Sequence, residues 1–135
     1  MQPATASRDG EPEASVDIAD QTFVVASREL VAKRIADPVQ WRAWWPDLQL
    51  AVTRDRGSNG ISWAVSGALT GTAEIWLEPW HDGVIVHWFL RCRPSGDDDP
   101  ARVRRAYVTD FKRDITILKD ELERGRPPGH PREWD

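Results

Sequence analysis

The sequence holds a single cysteine, Cys92, so no disulfide can close within the chain. With one cysteine and three histidines, it also lacks the four-ligand spacing of a structural zinc site. No metal or other cofactor is expected. No apolar run approaches the ~18 residues that a membrane-spanning helix needs. The first residues show no positive segment followed by an apolar one, so no secretory signal is expected and the cytoplasm is the default compartment. Lysine is scarce: Lys33, Lys112 and Lys119 are the only ones.

An excess of either charge sign is missing from the body. The net charge is -4. Residues 1–20 account for it, with Asp9, Glu11, Glu13, Asp17 and Asp20 against Arg8. The rest carries 17 acidic and 17 basic residues, so it has no field that would attract nucleic acid, and none is expected as a partner. What is abundant is tryptophan, eight in 135 residues, three of them between Asp37 and Pro46. Each can bury about 200 Å² and fix a packing geometry.

Composition divides the chain. Residues 1–19 are rich in Pro, Ala, Ser, Glu and Asp, which predicts a disordered acidic tail. Residues 126–135 are rich in Pro and Gly, which predicts a flexible C-terminal tail. One domain is expected over 20–125.

Within it, Gln21–Ala26 is β-branched and aromatic, a first strand. Ser27 reads as the cap of a short helix over about 28–36, with Leu30, Val31 and Ile35 on one face. Asp37 then caps a second helix, and Pro38 takes its first position, where the missing amide costs nothing. Trp41, Trp44 and Trp45 fall at spacings of three and four and line one side; Pro46 ends the helix. The segment reads as a plug, in which truncation of Trp41 would cost ~3–5 kcal/mol.

Four strands follow in the pattern. Leu48, Leu50 and Val52 alternate with polar residues, as do Ile61, Trp63 and Val65. Ala73, Ile75 and Leu77 form the inner row of a strand over 72–78. The last strand, 84–93, sets Val84, Val86, Trp88, Leu90 and Cys92 against Ile85, His87, Phe89, Arg91 and Arg93. Gly67 and Gly71 mark a bend, and residues 80–83 a hairpin connection. Asp99 and Pro100 then open a long helix to about residue 124, with an apolar stripe of Val103, Tyr107, Phe111, Ile115, Leu118 and Leu122. At roughly 37 Å it outruns a seven-residue strand of ~23 Å, so it is expected to lie obliquely or overhang the sheet, with Leu118 and Leu122 either meeting a second subunit or covered by the Trp41, Trp44 and Trp45 segment.

Strand, two short helices, a run of antiparallel strands and one long terminal helix: this order resembles the START/Bet v 1-like (SRPBCC) superfamily. That superfamily includes bacterial polyketide cyclase/dehydrase-like and lipid-transport proteins. The resemblance rests on Ser27-Arg28-Glu29-Leu30-Val31, on Ala36–Pro46 with its Asp-Pro and Trp-Trp-Pro, and on Leu77-Glu78-Pro79 before Gly83. It implies an α+β helix-grip fold, a curved antiparallel sheet wrapped around the long helix. About five strands are expected, against six or seven in the family.

The resemblance further implies a small hydrophobic ligand, lipid- or polyketide-like, between sheet and helix. Trp63, Val65, Ile75, Leu77, Val86, Trp88 and Leu90 would face it from the sheet, and Tyr107, Phe111 and Ile115 from the helix. Periodicity by itself makes these residues core. Catalysis would need inward acids or bases, and the candidates are few. Tyr107 is the one polar side chain of the inner stripe, and His87 falls on the outer row near Glu74 or Glu78. Binding without turnover is therefore the favoured reading. A cyclase- or dehydratase-type enzyme is the alternative, and an interaction module with a closed core, including a homodimer, the second. Arg91, Arg93, Arg102, Arg104 and Arg105 suggest an anion site at the helix start, but Asp97, Asp98 and Asp99 supply local neutralisation.

Overall fold

The computed structural model describes residues 14–124. Strand β1 (Val16–Val24) leads into helices α1 (Arg28–Ile35) and α2 (Pro38–Trp44). Strands β2 (Leu48–Asp55), β3 (Gly60–Gly67), β4 (Leu69–Trp80) and β5 (Gly83–Pro94) follow, then helix α3 (Pro100–Glu123). The strands make one antiparallel sheet in the order β1-β5-β4-β3-β2. The first two strands in the chain, β1 and β2, thus lie at opposite edges, and α1 and α2 carry the chain from one edge to the other. The result is the α+β helix-grip arrangement, with five strands and a long terminal helix.

Local signals set the helix starts. Ser27 Oγ accepts from Leu30 N, Asp37 Oδ1 from Val39 N and Asp99 Oδ1 from Ala101 N. Each satisfies one amide that a helix start leaves unpaired.

Three expectations are corrected. The first strand begins at Val16, not at residue 21, so residues 16–19 belong to the sheet rather than to a tail. Val16 and Ile18 are buried opposite Cys92 and Leu90, and acidic neighbours obscured their alternation. The remainder of the predicted N-terminal tail (1–13) and the predicted C-terminal tail (126–135) lie outside the described residues. Second, β4 and β5 are 12 residues each, longer than expected. Such strands reach ~40 Å, and α3 with its 24 residues only ~36 Å. Third, Leu118 accordingly does not overhang: it is buried, and Leu122 is half-buried.

Gly67 (φ 98°) and Gly71 (φ 155°) do mark the β3–β4 bend. A Cβ at Gly71 would sit 2.2 Å from the Arg91 carbonyl oxygen, so the close approach of β4 to β5 requires glycine there.

Helix α3 runs along β1 and caps its free edge. Arg104 Nε donates to the Asp17 carbonyl at 3.0 Å, and Lys119 Nζ to that of Phe23 at 2.8 Å. Lys112 Nζ donates to Asp20 Oδ2 (3.0 Å), Thr22 Oγ1 (2.9 Å) and the Gln21 carbonyl (3.5 Å). Glu123 accepts from Val25 N at 2.8 Å. Edge groups that would otherwise template another strand are thereby occupied. At the far edge, no such cover lies over β2 among the described residues: Leu48 and Leu50 are half-buried and Val52 is 47% exposed.

Candidate functional site: the aromatic interior between sheet and α3

Asp37 and Pro38 start α2, and its last amide, Trp45 N, donates to the Trp41 carbonyl at 2.7 Å before Pro46 turns the chain away. This short helix sends Trp44 and Trp45 into the space between sheet and α3. Both are buried, whereas Trp41 stays half-buried at the rim, where its Nε1 donates to the Ile35 carbonyl at 2.5 Å. Trp41 is thus less of a core residue than expected.

The Trp45 ring lies parallel to Phe111, with centroids 6.1 Å apart, and near-parallel to Trp88 at 6.0 Å. It meets Trp63 edge-on at 5.8 Å. Trp88 and Phe111 stack directly at 4.1 Å, and Trp41 meets Trp63 edge-on at 5.2 Å. Offset and edge-to-face arrangements at such distances add favourable contacts beyond area burial.

Of the ten residues expected to face this space, Trp63, Val65, Ile75, Leu77, Val86, Trp88, Leu90, Phe111 and Ile115 are buried and Tyr107 is half-buried. Among the described residues no buried side chain is polar or charged. Two donors of the interior, Trp63 Nε1 and Trp88 Nε1, are nonetheless buried without a hydrogen-bond partner among the described residues. Sequence reasoning treated Trp45 as a plug and missed that its ring packs between the predicted wall residues. The doublet Trp44-Trp45 before Pro46 was the available signal.

The two catalytic candidates fall in different places. Tyr107 lies at the margin of the interior. Burial pushes its hydroxyl up to about 12, and the Asp47, Cys92 and Asp110 charges add to this. It is a neutral phenol at physiological pH, able to donate or accept a hydrogen bond but not to act as a base. His87 is on the opposite, outer face, 2.9 Å from Glu78 Oε1 and stacked on Trp76 at 4.5 Å. Its strand parity excludes it from the interior.

The outer face also carries a hollow of about 180 Å³ lined by Thr53, Ser62, Thr72, Glu74, Phe89 and Arg91 among others. Glu74 there pairs with Arg56 at 3.3 Å. Of the arginines considered for an anion site, Arg91 reaches Asp17 at 3.9 Å and Arg104 its carbonyl. Asp17, not foreseen as a partner, joins them to β1. Among the described residues no three His, Cys, Asp or Glu side chains are placed to hold a metal, and no helix is long and apolar enough to cross a membrane.

No family model matches the chain, and no curated protein matches it in sequence. Solved structures do match in fold. The Aha1 dimer from Colwellia psychrerythraea shares 18% identity at a TM-score of 0.62, over 83% of this chain and 99% of that one. A START superfamily protein from Mycobacterium smegmatis shares 12% at 0.62, over 79% and 97%. The di-domain ARO/CYC StfQ from the steffimycin biosynthetic pathway shares 14% at 0.59, over 80% of this chain and 50% of that one. At such identities the likeness is one of fold: the chain has a START/SRPBCC-like fold.

Proposed function

From this fold, we propose that the domain binds a small hydrophobic molecule, lipid- or polyketide-like, between the sheet and α3, and does not itself transform it. The ligand-contacting set is Trp63, Val65, Ile75, Leu77, Val86, Trp88, Leu90, Tyr107, Phe111 and Ile115. The observation that carries the reading is the chemistry of the interior: among the described residues no buried side chain is charged, and the one buried ionisable group, the Cys92 thiol, is held protonated by its burial. Such a wall holds a ligand by shape and apolar burial. Its ionisable groups hold their protons, since burial raises the Tyr107 hydroxyl and the Cys92 thiol, and His87 is on the other face. StfQ is described as an ARO/CYC protein; that description supports a polyketide-like ligand here by likeness of fold alone.

A second reading is supported by the packing of Trp45 against three interior rings. In it the core is closed and the domain acts on another protein, including a second copy of itself through the open β2 edge. Native mass spectrometry of protein purified from its own cells separates the two. A co-purifying apolar mass, released on unfolding, is the expected result. Its absence, together with no saturable uptake of apolar dyes, would leave the closed-core reading in place.

A further inference from the structure

The hollow of about 180 Å³ lies on the outer face of the sheet, apart from the aromatic interior. Its floor is the backbone of β3 and β4 at Trp63 and Ala73, whose side chains are buried on the other face. Its walls follow from strand parity. Ser62, Glu74 and Phe89 stand side by side on β3, β4 and β5, and Thr72 and Arg91 stand together in the next row. Neighbouring strands are ~4.8 Å apart, so three abreast span ~10 Å. Thr53 completes the lining. The register of β2 against β3 shifts between Val52 and Arg54, and Thr53 is the residue left without a partner in it. Irregularities of this kind re-aim side chains and are common beside active sites.

The chemistry of this lining is unlike that of the interior. Thr53, Ser62 and Thr72 bring three hydroxyls, each able to donate and to accept. None has a side-chain partner among the described residues, whereas Ser66 and Thr70 on the same face are paired with Gln49 and Ser95. Glu74 brings acceptors and Arg91 donors. Arg56 lies 3.3 Å from Glu74, and Asp17 lies 3.9 Å from Arg91. A guest of either charge meets one like charge in this hollow, and a neutral guest meets none. Phe89 adds an aromatic ring, whose negative π-face attracts C–H groups.

We infer that the hollow is a second binding site, separate from the interior, and that it takes one neutral sugar ring. A pyranose carries hydroxyls around its rim, each both donor and acceptor, and C–H groups on its faces. The hydroxyls match the Ser, Thr, Glu and Arg groups; the C–H groups match Phe89. The volume sets the size. Pockets for drug-sized ligands begin at ~300 Å³, so a hollow of about 180 Å³ holds a single ring rather than a chain.

The methyl glycosides of glucose, galactose and mannose, titrated into the full chain and followed by amide resonances, test this. At least one is expected to bind with a Kd of about 1 mM, moving the amides of Ser62, Thr72, Glu74 and Phe89 and leaving that of Ile115 in α3 unmoved. The uronic acid and the amino sugar of the same configuration are expected to bind about fivefold more weakly. Ser62→Ala and Thr72→Ala each remove a hydroxyl, and Phe89→Leu removes the ring but keeps an apolar side chain. Each is expected to weaken the glycoside about fivefold, while Ser66→Ala, on the same face outside the hollow, leaves it unchanged. The map of shifted amides in the wild-type chain is a readout that does not depend on any variant folding. No binding of any glycoside, shifts confined to amides of the interior, or tightest binding of the acid or the amine overturns the inference. Unchanged affinity in all three variants of the hollow overturns it as well. Each of these outcomes leaves the interior reading standing, because uptake of apolar dyes tests that separately.

Discussion

At the scale of single residues, Cys92 and Tyr107 set the response to alkali. Burial pushes the Cys92 thiol up to about 11, against weaker lowering by the Thr72 carbonyl and Arg93. Tyr107 rises to about 12. A raised acid keeps its proton in the folded chain at pH values where the unfolded chain has lost it. The stability is therefore complete below the unfolded values, near 9 and 10, and is lost as pH rises through the folded ones. Urea unfolding is expected to show a fall of about 2 kcal/mol from the thiol between about pH 9 and 11, absent in Cys92→Ala. Tyr107→Phe should remove a smaller loss at higher pH, because that ring is half exposed. A flat profile in the wild type would show that neither group is held protonated.

The tryptophans divide by the same logic. Trp45→Ala is expected to cost ~3–5 kcal/mol, as large buried truncations do, and Trp41→Ala ~1–3 kcal/mol, since that ring is half exposed and loses one hydrogen bond. Thermal or urea unfolding checks the order; a larger loss at Trp41 would place the core on the wrong side of α2. Strand parity made the inner and outer rows legible, down to His87 facing away from Trp88. Helix spacing could not separate Trp41 from Trp45, because residues one turn apart share a face and differ in burial only once that face has a partner.

At the scale of elements, the helix starts were legible because a cap and its amide lie within three residues. Strand ends were not. Residues 16–19 and the start of β4 (69–71) are strand because they pair with distant chain, Val16 with Cys92 and Leu69 with Pro94. The cover over β1 is likewise a tertiary feature: Lys112 and Lys119, two of the three lysines, are spent on it. Lys112→Ala is expected to lower stability by about 1 kcal/mol, the worth of a part-exposed charged contact. Amide exchange should quicken across β1 and remain unchanged in β3. Uniform quickening would mean that α3 supports the whole sheet rather than one edge.

At the scale of the whole molecule, the two sheet edges are unlike, and this decides where a second copy could pair. The β1 edge is closed by Arg104, Lys112, Lys119 and Glu123. Among the described residues nothing covers the β2 edge, and its inner row ends on the exposed Val52. It is not undefended: the register with β3 shifts between Val52 and Arg54, and charged Arg54 and Asp55 follow. Bulges and charges shorten the stretch that can template a partner strand. The usable part is the run before the shift, Leu48 to Val52. If the chain dimerises, a charge at Val52 should abolish it, because in a two-fold antiparallel pairing of that run a lysine there stands opposite Leu48 of the other copy and puts a charge into the apolar row. Sedimentation velocity over a wide concentration range is the measurement. Val52→Lys is expected to be monomeric throughout, and Gln21→Lys on the capped edge to behave as wild type. The reverse order would move the interface to β1 and require α3 to lift; a wild type that stays monomeric throughout removes the homodimer from the reading.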